Sequence, residues 1–243
     1  MRGYMWDRSR AAQLGITMAC GVLGTACMMA EGVADGEGAS AGANPDSELA
    51  SALGEGTALT VSGSEDAHHG SLIQVEAAPK REDRLAHQSL HSLDLEVLGG
   101  YLDARAVDDQ EVVEVDDLTI DIGDIDLPTE VISADVSFTG IQARLAHPTA
   151  APLEWDESGA SAEASASLDL VVDWGVSVDG GDMHPLAPVE VESLDIILEI
   201  SANDDGHPVV ELAGFRDGVF YEWAGLVELG GLSLDVRAGH KGA

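Results

Sequence analysis

Cysteine is almost missing from this chain of 243 residues: there are two, Cys20 and Cys27, both near the start. The body beyond them has no internal disulfide and no thiolate metal site. Positive charge is scarce too. Eleven lysines and arginines face 45 aspartates and glutamates, a net charge of −34. Each phosphate that approached such a surface would add like charge, so nucleic acid is excluded as a partner and anionic headgroups are repelled. In high salt the self-repulsion is screened and the surface stays soluble. That suits a saline exterior, or reflects an acidic composition with no local role. Aromatic residues make up only 4%. No nucleophile elbow on a strand-to-helix turn, phosphate loop or C-x-x-C pair occurs. Carboxylate pairs abound, but in so acidic a chain they do not point to a glycosidase. These absences lead to a non-enzymatic reading.

What the chain does have begins at the N-terminus. Arg2, Arg8 and Arg10 form a basic segment, and Ala11 to Ala30 follow without a charge until Glu31. This is the layout of an export signal, and residues 1–30 are assigned to it. Gln13, Thr17, Thr25 and interrupting glycines and cysteines make the run too weakly apolar for a permanent membrane helix. Cys27, preceded by Leu23-Gly24-Thr25-Ala26, resembles the lipidated cysteine of a bacterial lipoprotein signal. The family places a large aliphatic residue three positions before the cysteine, where this chain has Gly24. Gly32-Val33-Ala34 offers a competing cleavage site after Ala34. Residues 31–66, rich in Gly, Ala, Ser and Glu, read as a flexible linker, with a short helix around Ser47 to Leu53. Lipidation at Cys27 would make this linker the tether between membrane and domain. The address is exported: the bacterial envelope (outer membrane or periplasm) or the medium.

Residues 67–243 read as one β-rich domain. Between Ala164 and Val178 every even position is apolar, Leu168, Leu170 and Trp174 among them. The odd positions are polar or glycine except Val171. Period two means one dry face and one wet face, hence antiparallel sheet. Such a strand runs roughly 50 Å, against an ordinary five or six residues. Similar alternation covers Leu93 to Val97, Val112 to Val115, Leu118 to Leu127, Val131 to Ala146 and Val189 to Ile200, then Val209 to Leu212, Val219 to Leu229 and Leu232 to Val236. Gly99-Gly100 predicts a tight hairpin turn. Phase shifts at Gly123, Gly140 and Ser193 predict bulges. Ser-Leu-Asp recurs at Ser92, Ser167, Ser193 and Ser233, too irregularly for a solenoid. Pro79 to His91 is a helical candidate. The predicted fold class is mainly β: a long, strongly bent antiparallel sheet, half-tube or sandwich, with at most one or two short helices.

Asp117 to Leu145, followed by ASASLDLVVDWGVSV and VESLDIILEIS, resembles the tubular lipid-binding proteins of the bactericidal/permeability-increasing type over roughly residues 90–213. The resemblance lies in strand length and order. It implies a coiled sheet wrapped on a helix around an apolar channel for acyl chains, so a lipid or apolar ligand is the expected partner. The long packing helix and paired cysteines of that family are not evident here.

Candidate sites follow. Phe138, Trp174, Phe215, Phe220, Tyr221 and Trp223 could line an apolar pocket, or close the end of a core. Asp121, Asp124, Asp126, Asp179, Asp182 and Asp204 lie in acidic, glycine-rich stretches with the hard oxygen ligands of Ca²⁺. Asp and Asn also make turns without metal. His87-Gln88-x-x-His91 has helical zinc spacing but lacks the carboxylate of a metalloprotease. Two functions remain: an apolar-ligand or lipid binder tethered by its N-terminus, and an acidic spacer or adhesion module stiffened by divalent cations.

Overall fold

The computed structural model describes residues 48–54, 56–64, 70–80, 91–107 and 111–240. A helix, α1 (Glu48–Gly54), precedes twelve strands: β1 (Thr57–Val61), β2 (Leu72–Pro79), β3 (His91–Val107), β4 (Val112–Ile122), β5 (Ile125–Asp126), β6 (Val136–Leu145), β7 (Thr149–Trp155), β8 (Ser161–Val178), β9 (His184–Pro185), β10 (Val189–Ala202), β11 (Pro208–Trp223) and β12 (Val227–Gly239). They form one 12-stranded sheet with antiparallel neighbours. The alternating run that dominates the sequence is β8. Leu168, Leu170 and Trp174 are 0%, 4% and 7% exposed, so its apolar face is hidden.

The sheet bends until it meets itself. At one end the pairing runs β3-β4-β7-β8-β10-β11-β12-β1 and returns to β3, a closed ring of eight strands. Bulges supply the bending, because each extra residue increases local twist and moves the apolar phase by one. β3 buries Leu95 and Val97, then Leu102 and Ala104, with a register shift between Val97 and Gly99. β6 buries Val136 and Phe138, then Ile141 and Ala143, across Gly140. β10 changes phase between Val191 and Leu194, where Ser193 has φ 55°. The expected bulges at Gly140 and Ser193 are thus present. At Gly123 the chain instead leaves the strand altogether and resumes as β5.

The closed end carries α1. Leu49 and Leu53, one helical turn apart, share a face and are 4% and 0% exposed. The helix packs on β3 and β11, which are not neighbours in the ring, so it sits across the ring's end. Residues 31–66 are therefore not all linker: α1 and β1 belong to the folded domain. The short helix expected near Ser47 to Leu53 is α1.

At the opposite end the ring parts into two leaves. Pairing between β10 and β11 stops at Asp195–Phe215, and Val189 to Val191 pair with β8 alone. Pairing between β3 and β4 stops at Val97–Ile122. One leaf therefore holds the first half of β3, β2, the first half of β12 and the second half of β11. The other holds β5, β6, the second half of β8, β9 and the start of β10.

Several sequence expectations are corrected. Gly99-Gly100 is no hairpin: β3 runs straight through it with φ of 146° and 148°. A Cβ on Gly100 would lie 2.0 Å from the Thr119 carbonyl oxygen, so the glycine permits close strand approach rather than reversal. Val219 to Leu229 is not one strand, because the chain reverses at Ala224-Gly225, both with positive φ. The strand expected from Val131 starts at Val136. Residues 81–90, most of the helical candidate Pro79 to His91, lie outside the described residues, with Pro79 and His91 at strand ends.

The wall is apolar inside and polar outside. Outward positions of β8 include Glu163, Ser165, Ser167, Asp169 and Asp173, and those of β10 include Glu190, Asp195 and Glu199. A lipid-facing barrel needs an apolar outward band; this wall is built to face water. Among the described residues no helix is long and apolar enough to cross a membrane.

Candidate functional site

Between the two leaves lies a cavity of about 60 Å³ with entirely apolar lining. Strands of both leaves contribute: Ile73 from β2, Leu95 from β3, Ile120 from β4, Phe138 from β6, Trp174 from β8 and Leu234 from β12. At about 10–15 Å³ per water-sized sphere, the space holds only a few non-hydrogen atoms. A polar group would lose its water there without a partner, so the cavity favours a hydrocarbon end.

Aromatic rings bridge the leaves beside this space. Phe138 stacks on Trp174 with centroids 4.9 Å apart and planes at 19°. Trp223, from the facing leaf, meets Phe138 edge-on at 6.0 Å. Tyr221, also from that leaf, meets Trp174 at 4.5 Å. Phe220 lines the cavity as well. Five of the six aromatic residues singled out in the sequence thus converge at the open end. Phe215 does not. It has outward parity in β11 and is 53% exposed. Burial raises the Tyr221 hydroxyl above its ordinary pKa, so it stays neutral and adds no charge to the opening.

The six aspartates are not brought together. Asp121 accepts from Gln142 Nε2 at 2.8 Å, and Asp126 from Ser137 Oγ at 2.5 Å. Asp124, Asp179, Asp182 and Asp204 are exposed, the last three in two separate turns. Asn203 orders one of these turns, accepting from the backbone N–H of Asp205 and His207. Asp179, Asp182 and Asp204 lie at turns, whereas Asp121 and Asp126 lie in strands. Among the described residues no cluster of three or more His, Cys, Asp or Glu could hold a metal ion. Cys27 and His87 lie outside the described residues.

The chain matches no family model and no curated protein. Two solved structures show slight likeness, both of Ail, the attachment invasion locus protein of Yersinia pestis. One is 9% identical with a TM-score of 0.37. The other, in complex with the heparin analogue sucrose octasulfate, is 7% identical with a TM-score of 0.35. Each likeness covers 70% of this chain and 96% of the other. Scores this low establish neither a shared fold nor a shared function.

Sequence reasoning missed Arg216. Leu212 and Gly214 precede it on the inward phase of β11, and it pairs directly with the buried Leu232 of β12. Its Nε donates to the Glu192 carbonyl oxygen at 2.7 Å, while Nη1 is buried without a partner. A basic residue with the parity of Leu212, in so acidic a chain, was the available signal.

Proposed function

We propose that this protein is an exported, non-enzymatic envelope protein, lipid-anchored through Cys27, whose domain holds an apolar ligand or lipid tail between the two leaves of its sheet. The observation that carries this reading is the wholly apolar cavity framed by rings from both leaves. An apolar tail entering it would gain about 0.8 kcal/mol per buried CH₂. The space in the closed arrangement is small, so a longer tail enters by parting the leaves. Among the described residues no strand pairing joins β11 to β10 beyond Phe215, and ring contacts cross between the leaves there. The water-facing wall and the segment between Cys27 and α1 fit a domain held off a membrane rather than embedded in one.

Native mass spectrometry of gently purified full-length protein, with dodecanol titration followed by tryptophan emission, tests the reading. Bound lipid or a saturable shift of emission is expected. No co-purifying lipid together with no response to dodecanol would reject the ligand-binding role. Intact-mass analysis of the membrane fraction tests the anchor: a diacylglyceryl adduct on Cys27 is expected, and a chain beginning after Ala34 would reject it.

A further inference from the structure

Arg216 stands apart from the other described cations. Lys80 pairs with Glu222, Arg105 with Glu114 and Asp116, Arg144 with Asp173, and Arg237 with Glu211. Arg216 alone among the described lysines and arginines has no carboxylate partner, in a chain where acids outnumber bases 45 to 11. Such a chain could have supplied a partner at almost any outward position. Instead the guanidinium sits on the inward phase.

Its place in the fold is specific. Arg216 is the first residue of β11 beyond the last pairing with β10, Asp195–Phe215, and so stands where the seam between the leaves begins. Its bond to Glu192 ties it to the β10 side of that seam. The chain neighbour of Glu192, Val191, and the cross-strand partner of Arg216, Leu232, both line the apolar cavity. Arg216 is therefore adjacent to cavity-lining residues on β10 and β12 while not lining the cavity itself.

Other buried polar atoms on the strands of the open end also lack partners. Among the described residues, the buried side-chain polar atoms without a partner are Arg216 Nη1, Trp174 Nε1 and Thr139 Oγ1. All three belong to the open end, and each can donate. A buried donor left unpaired is costly, more so when charged, and native proteins keep few of them. An incoming acceptor would remove that cost. An anionic acceptor at Arg216 would gain a charge-assisted bond in a partly desolvated place.

We infer that the ligand is a single-chain amphiphile with a carboxylate head, its oxygen at Arg216 and its hydrocarbon tail between the leaves. The inference rests on the apolar-ligand reading and adds the head group. The acidic outer wall does not contradict it: the carboxylate arrives at the one described cation left without a counter-charge, tail first through an apolar seam.

The test compares dodecanoate with dodecanol, matched in chain length, on the full chain at mildly alkaline pH. Wild type should bind dodecanoate about tenfold or more tighter than dodecanol, the size of one charge-assisted bond. Arg216→Met should weaken dodecanoate by about tenfold to a hundredfold and weaken dodecanol by less, so that the preference for the acid is lost. Should Arg216→Met fold poorly, Arg216→Lys keeps the charge without the fork and should still prefer the acid. Equal affinity of wild type for acid and alcohol, or dodecanoate affinity unchanged in Arg216→Met, overturns the head-group assignment while leaving the apolar reading standing. Binding of neither probe by wild type overturns both.

Discussion

Replacing Gly100 by alanine puts the course of β3 to the test. Gly100 has φ 148°, a conformation L residues rarely adopt, and an added Cβ would sit 2.0 Å from the Thr119 carbonyl oxygen of β4. Ordinary contact begins at about 3.4 Å, so backbone must move by more than an ångström, in a pair of strands that closes the ring. A strained φ costs about 1–3 kcal/mol and overpacking a similar amount. Together they predict a loss of about 3–5 kcal/mol, large for a single substitution. Gly180 provides the control. Its φ is 66°, but nothing lies within 4 Å of the added Cβ. Gly180→Ala should cost only the left-handed penalty of about 1–2 kcal/mol. Urea unfolding measures both. With a slope of about 2–3 kcal/mol per molar, Gly100→Ala should lower the midpoint by about 1–2.5 M and Gly180→Ala by about 0.3–1 M, at unchanged slope. A Gly100→Ala loss no larger than that of Gly180→Ala would refute the continuous strand and restore a reversal at Gly99-Gly100.

Other substitutions and conditions probe the rest of the fold. Phe138 is fully buried and touches rings of both leaves, so Phe138→Ala should cost about 3–5 kcal/mol in urea unfolding; a loss below about 1 kcal/mol would mean the leaves do not meet there. Leu53→Ala should cost about 2–5 kcal/mol by the same measurement, whereas a silent substitution would return residues 48–54 to the linker. Raising NaCl from about 0.1 M to about 1 M shortens screening from about 10 Å to about 3 Å, so the melting temperature should rise, and a flat or falling response would deny that net charge strains the fold. Desolvation, with a smaller push from Glu211, holds the Asp235 carboxyl above its ordinary 3.8, so the fold favours its neutral form. That contribution is complete below the unfolded pKa and lost as pH rises through the folded one. Asp235→Asn should therefore raise the melting temperature at pH 7 and bring no gain near pH 3, by under about 1 kcal/mol given its exposure; equal effects at both pH values would refute the assignment.

Much of this was legible in the chain because period two is a local property. Leu168, Leu170 and Trp174 alternate with polar neighbours, and that alone dictates a strand with one dry face. The phase changes at Gly140 and Ser193 are legible for the same reason, since an extra residue must exchange the faces. The aromatic residues were nameable from composition. Their parity would have separated outward Phe215 from inward Tyr221 only with the two register shifts between Arg216 and Tyr221 already known.

The sequence by itself determined the class, the dry face, the acidic exterior and the signal-like N-terminus, each set by residues within a few positions of one another. Tertiary structure alone decided that the sheet closes at one end and parts at the other, because closure joins β3 to β1 and β12 to β1 across long stretches of chain. It alone decided that Gly99-Gly100 passes straight, since the reason is an oxygen on another strand. It likewise stood Arg216 where the seam begins, with no ion pair among the described residues, since the strands that surround a side chain are chosen by pairing rather than by neighbours in sequence.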